Sequence, residues 1–137
     1  HMGEAEGPKL ENATKRDYLK SAMLMIKEHE MLLFGRLLEG MQQIKRLNIH
    51  GITDPAMWKW RTATVSITLD GKDSWQMCEK LGVDGLALSP GHFYAIEPLG
   101  KLGLLEDGGV IRAGLSLYNT QKEVDRLINA LDRLASE

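Results

Sequence analysis

The chain has 137 residues, of which 26% are charged and 43% are hydrophobic, and its formal net charge is −2. This length suits one domain, and the slightly acidic balance argues against nucleic acid or an anionic membrane as the main partner. The single cysteine, Cys78, excludes an internal disulfide framework and indicates a reducing, cytoplasmic setting, and no apolar run approaches the roughly 20 residues of a membrane span.

The first residues contain little that a folded core could bury. Residues 1–12 carry three acids, two glycines and one proline, and His1-Met2 are typical of a cloning remnant, so we predict a flexible lead-in there. Residues 13–137 are predicted to form a single small domain, made of a long helix over 14–47 and an α/β sandwich over 48–137.

The long helix begins where Thr14 and Asp17 have the spacing of a capping box. Apolar residues at spacings of three, four and seven then form one stripe along it, namely Leu19, Met23, Ile26, Leu33, Leu37, Met41 and Ile44. Such a helix would be roughly 48 Å long, which exceeds the roughly 37 Å diameter of a compact chain of this size. It should therefore bend near Gly35 and Gly40 or project from its core. We expect its excess apolar surface to contact another domain or to pair residues 24–41 in a symmetric dimer.

Alternation, turn residues and caps predict the remaining elements. In chain order they are a minor strand at 48–52, a turn at 53–55, a half-buried strand at 62–69, a short helix at 74–81, a strand at 86–89, a helix or ordered loop at 97–105, a strand at 110–118 and a helix at 120–135. Short strands with helices on one face predict an α+β fold with a small, mainly antiparallel sheet.

Arg112 is the candidate functional residue that this pattern singles out. In the predicted strand it lies opposite the apolar face, between small residues that leave room for a ligand. A guanidinium there could hold a carboxylate through two parallel hydrogen bonds. A solvated strand arginine or a structural ion pair would explain the same spacing, so both interpretations stay open.

No metal site is predicted from the sequence. His29, His50 and His92 are far apart, and no pair of them has metal-ligand spacing. Cys78, on a predicted helix, is interpreted as a small buried hydrophobe rather than as a nucleophile. No glycine-rich segment has the spacing of a phosphate-binding loop.

The segment from Gly109 to Ile128 resembles the C-terminal signature of class V aminotransferases, a family of fold-type I pyridoxal-phosphate enzymes that includes the cysteine desulfurases. The pattern is Arg-x-x-x-x-x-Tyr-Asn-Thr-x-x-Glu-Val-Asp and begins at Arg112. Three further landmarks fall in the family's order, at 28–30, 60–67 and 90–95. The Gly-x-Phe-Tyr-Ala loop makes the likeness closest to a cysteine desulfurase-like subfamily of unassigned activity.

The resemblance implies roles for five residues. Arg112 would be the family's substrate-carboxylate arginine, and Gly91, His92, Phe93 and Tyr94 would form its active-site loop. Tyr94 stands where desulfurases place the catalytic cysteine, so persulfide formation is not expected. The resemblance assigns no catalytic, cofactor-binding or metal-binding residue to this chain.

The resemblance also implies that pyridoxal phosphate is held elsewhere. The family's Schiff-base lysine follows a histidine in the large domain, and no His-Lys pair occurs in this sequence. The leading hypothesis is therefore a small domain, either a piece of a longer enzyme or naturally short, that is not catalytic alone and serves an amino-acid substrate in a full-length parent. The alternatives are a standalone dimerisation or protein-interaction module that uses the long helix, and an enzyme completed by a separate large-domain chain.

Overall fold

A computed structural model describes residues 14–137, so the predicted lead-in at 1–12 lies outside the described residues. The chain forms, in order, α1 (Lys15–Met41), β1 (Leu47–His50), a 3₁₀ helix (Pro55–Trp60), β2 (Thr64–Leu69), α2 (Ser74–Val83), β3 (Ser89–Gly91), α3 (Ile96–Lys101), β4 (Val110–Gly114) and α4 (Gln121–Ser136). The predicted α+β class is confirmed.

The sheet has four strands in the order β1-β2-β4-β3, and every neighbouring pair is antiparallel. Because side chains alternate between faces along a strand, β2 and β4 direct one apolar set into the core. That set packs with α1, α2 and α4 and consists of Val65, Ile67, Leu69, Ile111 and Ala113. The opposite face of these two strands carries mostly polar or small residues, and Arg112 lies on it.

Both predicted capping boxes are present. Thr14 N donates to Asp17 Oδ2 at 2.9 Å at the start of α1, and Thr120 N donates to Glu123 Oε2 at 2.8 Å at the start of α4. The prediction that the first helix continues to Leu47 is wrong, because α1 ends at Met41. Residues 42–46 turn the chain into β1, and the carbonyl of Arg46 accepts a hydrogen bond from the Asp70 amide at 3.0 Å.

The two glycines of α1 allow close packing of neighbouring elements. A Cβ on Gly35 would lie 2.8 Å from the Trp58 ring, and a Cβ on Gly40 would overlap the side chain of Ile128. Both positions therefore let another element approach the helix axis. The helix is continuous through both glycines, and the exposed side chains of its N-terminal part show that this part projects from the core.

The two halves of α1 have different surroundings. Its buried residues all lie between Leu33 and Met41, where they belong to the chain's own core. Within residues 33–41 these apolar side chains are therefore already covered and are not available for the dimer contact predicted over 24–41. The exposed large apolar side chains lie further towards the N-terminus, at Tyr18, Leu19, Met23, Leu24, Met25 and Leu32. Among residues 14–137, no helix is long and apolar enough to cross a membrane.

The last two strands differ most from their predicted bounds. β4 ends at Gly114 rather than at 118, because the chain turns where the Ser116 amide donates to Asn119 Oδ1 at 2.8 Å. β3 covers Ser89–Gly91 rather than 86–89, and Pro90 is tolerated within it because β3 is an edge strand. Leu86 and Leu88, which precede β3, pack against the core instead of pairing with β4.

Candidate functional site

Arg112 lies in the middle of a row of residues that crosses the sheet. Its direct partners are Ser66 on β2 and Ser89 on β3, and Ser66 is in turn paired with His50 on β1. Because directly opposed residues of antiparallel strands share a face, all four lie on the face opposite the core. The serines are small, and Arg112 is exposed between them.

The predicted active-site loop leaves β3 beside this arginine and has an unusual backbone. Phe93 and Tyr94 have φ angles of 48° and 63°, in the left-handed region that residues with a side chain rarely adopt. Two hydrogen bonds to His92 hold this conformation, since the Tyr94 amide donates to His92 Nδ1 at 3.1 Å and the Ala95 amide donates to the His92 carbonyl at 2.7 Å. Each left-handed residue costs about 1–2 kcal/mol, so the surroundings must stabilise the loop.

The structure brings part of the predicted loop onto the predicted arginine. The guanidinium carbon of Arg112 lies over the Phe93 ring, 4.1 Å from its centroid. His92 and Tyr94 pack edge to face, with ring centroids 6.2 Å apart, and Tyr94 is 95% exposed. Gly91 pairs with Val110 at the end of the β3–β4 ladder and has no side chain at the site.

Arg112 differs from three of the other cations in the described part of the chain. Arg36, Lys80 and Arg133 each form an ion pair with a carboxylate. Among residues 14–137, no carboxylate lies within ion-pair distance of Arg112, and no acceptor receives a hydrogen bond from its guanidinium. The N–H groups of Arg112 are thus open to solvent. The contact that the guanidinium makes is with the Phe93 ring.

Two features near this face were not predicted from the sequence. One is the stacking of Phe93 on Arg112, which depends on strand register and loop backbone. The other is the place of His50, whose Nε2 lies 2.8 Å from Thr68 Oγ1 and whose pKa is lowered by burial. The alternation of β2 and β4 could have suggested the shared face, but no local signal placed β1 against β2.

A sizeable cleft lies away from Arg112. It has a volume of about 650 Å³, lies at the β1 side of the sheet and is lined by residues that include Asn48, His50, Thr68 and Asp70. Several of these polar groups already satisfy one another, since Asn48 Nδ2 donates to Asp70 Oδ1 at 2.6 Å and His50 contacts Thr68. The cleft contains none of the predicted site residues, and the guanidinium with its open donors is the stronger candidate.

The other candidate side chains have ordinary surroundings. Burial raises the pKa of the Cys78 thiol to about 11, which makes it a poor nucleophile at neutral pH. His29 is exposed, and its Nε2 lies 3.1 Å from the carbonyl of Asn119. In the part of the chain that the structure describes, no three His, Cys, Asp or Glu side chains are arranged to hold a metal ion.

The antiparallel sheet, with helices on one face and a long helix before it, has the small-domain architecture of pyridoxal-phosphate-dependent transferases. The apo cysteine desulfurase of Thermococcus onnurineus matches 88% of this chain and 28% of its own, with a TM-score of 0.75 and 23% identity. A cysteine desulfurase of Escherichia coli matches 80% of this chain and 25% of its own, with a TM-score of 0.67 and 24% identity. At these identities the likeness establishes the fold alone.

The sequence comparisons go further than the fold. Residues 13–127 match the profile described as aminotransferase class-V, and the chain belongs to this family. It is 36% identical over 110 residues to an aminotransferase-like protein of Gibberella zeae and 32% identical over 119 residues to a cysteine desulfurase of Serratia proteamaculans. These matches cover 78% and 86% of this chain, which spans 27% of the length of each of these relatives.

Proposed function

We propose that this chain acts as the small domain of a cysteine desulfurase-like enzyme and that Arg112 binds the carboxylate of an amino-acid substrate. The observation that carries the proposal is an exposed arginine that has no ion-pair partner among residues 14–137 and lies beside the loop at 91–94. A planar guanidinium with free N–H groups matches the two oxygens of a carboxylate. We place the protein in the cytoplasm, since its one cysteine would favour a reducing compartment.

The sequence of the loop argues against a persulfide-forming reaction in the whole enzyme. Tyr94 occupies the position where the resemblance places the cysteine of true desulfurases, and a phenol does not form a persulfide. Phe93 is half-buried and contacts the Arg112 guanidinium, whereas Tyr94 is 95% exposed and packs against His92. The loop would therefore line the substrate site without acting as a sulfur carrier.

Replacing Arg112 with alanine should abolish carboxylate binding and leave the fold intact. In wild-type protein, sodium acetate should shift the amide resonances of residues 89–94 and 110–114 saturably, beyond the effect of sodium chloride at equal ionic strength. Arg112→Ala should lose this response, while its free energy of unfolding should change by less than about 0.5 kcal/mol, because the residue is exposed.

Arg16→Ala is the matched control, because Arg16 is an exposed arginine near the start of α1. It should bind acetate like the wild type. Equal acetate binding by the wild type and by Arg112→Ala would contradict the proposal, and a large loss of stability in Arg112→Ala would favour a structural role for the arginine.

We further propose that pyridoxal phosphate is held outside this chain. A lysine that forms a Schiff base needs its pKa lowered by burial or by a neighbouring cation. Every lysine from Lys15 to Lys122 is exposed or half-buried. None of them follows a glycine-rich loop with the spacing of a phosphate-binding motif. These lysines do not fit the cofactor, so another domain would supply the Schiff-base lysine and the groups that bind the phosphate.

Incubation with pyridoxal phosphate and reduction with borohydride should therefore give scattered, substoichiometric labelling of lysines. Peptide mapping by mass spectrometry would measure the occupancy of each site. Stoichiometric labelling of one lysine, lost when that lysine is replaced by arginine, would overturn the proposal that the chain has no cofactor site.

A second candidate function is dimerisation through α1, and the exposed apolar side chains of its outer half favour it. Sedimentation equilibrium at micromolar concentration should then give a dimer, and Met23→Glu should give a monomer. Val83→Glu is the control, because Val83 is equally apolar and more exposed but lies at the end of α2. A wild-type monomer would exclude this function and favour a large domain as the partner of α1.

A further inference from the structure

The strand and the loop of the candidate site meet in one contact, between the Arg112 guanidinium and the Phe93 ring. The guanidinium carbon lies 4.1 Å from the ring centroid, well within the roughly 6 Å over which a cation is attracted by an aromatic face. A carboxylate binds a guanidinium in the guanidinium plane, through its edge N–H groups. A ring stacked on the guanidinium face would therefore leave the binding edge open.

The backbone of the loop places Phe93 there at a cost. The left-handed φ angles at Phe93 and Tyr94 are both unfavourable for residues with a Cβ, and the His92 ring and carbonyl hold the turn through two hydrogen bonds. Consecutive strained residues persist where the surrounding structure over-determines them, and they cluster at functional sites. At Arg112, the strained backbone places the Phe93 ring against the guanidinium.

A flexible, exposed arginine loses side-chain entropy when it binds a ligand, and a contact that restricts it beforehand reduces that loss. Ser66 and Ser89, the strand neighbours of Arg112, are too short to restrict a guanidinium by packing. Within residues 14–137, no ion pair restricts the guanidinium either. The Phe93 ring is thus the contact that the described residues offer to the guanidinium.

We propose that Phe93 is a positioning residue, which orients the Arg112 guanidinium so that its edge is presented to a substrate carboxylate. This inference rests on the proposed function, in which Arg112 is the carboxylate-binding group. Phe93 acts through the arginine and need not touch the carboxylate itself. An aromatic residue at this position should therefore support carboxylate binding better than an aliphatic residue of similar size.

Two substitutions separate the aromatic face from mere bulk. Phe93→Leu keeps an apolar side chain without a π face, and Phe93→Tyr keeps the π face. Both replacements retain a Cβ, so both leave the backbone strain at this position unchanged. With acetate as the probe, Phe93→Leu should raise the Kd roughly three- to fivefold, because an unrestricted guanidinium loses more side-chain entropy on binding, and Phe93→Tyr should bind like the wild type.

A measurement without ligand tests the stacking directly. The ring current of Phe93 should move the Arg112 δ-methylene and Nε–H proton resonances upfield in the wild type and in Phe93→Tyr, but not in Phe93→Leu. Ordinary shifts for these protons in the wild type would overturn the stacking, even if Phe93→Leu failed to fold.

The failure of this inference and the failure of the proposed function give different results. If acetate binding depends on Arg112 but is equal in the wild type and Phe93→Leu, the positioning role is overturned and the carboxylate site stands. If Arg112→Ala binds acetate as well as the wild type does, the carboxylate site fails, and the positioning role fails with it.

Discussion

Leu33→Ala should lower the free energy of unfolding by about 3–5 kcal/mol, the cost of a cavity at a fully packed leucine. Leu33 is only 2% exposed and packs in the core where the second half of α1 meets the sheet and α4. Its neighbour Leu32 provides the matched control, because it is on the same helix, has the same side chain and is 66% exposed. Leu32→Ala should change stability by less than about 0.5 kcal/mol. Urea unfolding of both variants measures the difference.

The same pair tests the division of α1 into two halves. If α1 mediates dimerisation, Leu32→Ala should weaken the dimer without affecting the folded monomer, whereas Leu33→Ala should act on folding at every protein concentration. Equal destabilisation by the two substitutions would mean that the outer half is covered by the chain itself. That result would remove the surface on which a partner of α1 depends.

Gly109→Ala should destabilise the protein by about 2–5 kcal/mol, from left-handed strain together with overpacking. Gly109 is buried just before β4, has a φ of +83° and lies so close to Gly91 that a Cβ would be 3.1 Å from the Gly91 Cα and would overlap its carbonyl. The obstructing atoms belong to backbone, which cannot swing aside as a side-chain tip can. The substitution should therefore push β3, and the loop that follows it, away from Arg112.

Gly103→Ala is the control for this prediction. Gly103 also has a positive φ, of +70°, but nothing lies within 4 Å of the position that its Cβ would take. Only the conformational strain of about 1–2 kcal/mol should remain there. Thermal unfolding gives the stability of both variants, and amide shifts of residues 89–94 report the displacement of the loop. Equal effects of the two substitutions would contradict a tight approach of the backbones at Gly91.

The elements that local chemistry determines can be predicted from the sequence. The capping boxes at Thr14 and Thr120 depend on residues three positions apart, and the alternation over 62–69 requires only neighbouring residues. The alternation over 110–118 likewise assigns Arg112 to the polar face. This alternation continues past Gly114, however, so it does not indicate that the Ser116 amide donates to Asn119 Oδ1 and that β4 ends before it.

The arrangement around Arg112 cannot be predicted in the same way. Phe93 reaches the guanidinium because β3 and β4 pair in one particular register and because the loop adopts left-handed angles that its own residues disfavour. Both are decided by tertiary packing, and no preference of Phe93 or Tyr94 indicates them. The family signature locates the loop and the arginine in the chain, but only the folded structure brings them into contact.

The unbroken course of α1 has a mechanical consequence. One end of this 27-residue helix is buried in the core, and the other end is exposed. The outer half is roughly 27 Å long at 1.5 Å per residue, so a rotation of the core by about 10° would carry the Thr14 end through about 5 Å. A rotation of that size in the sheet that carries Arg112 would therefore appear at the outer end of the helix as a displacement as large as a side chain.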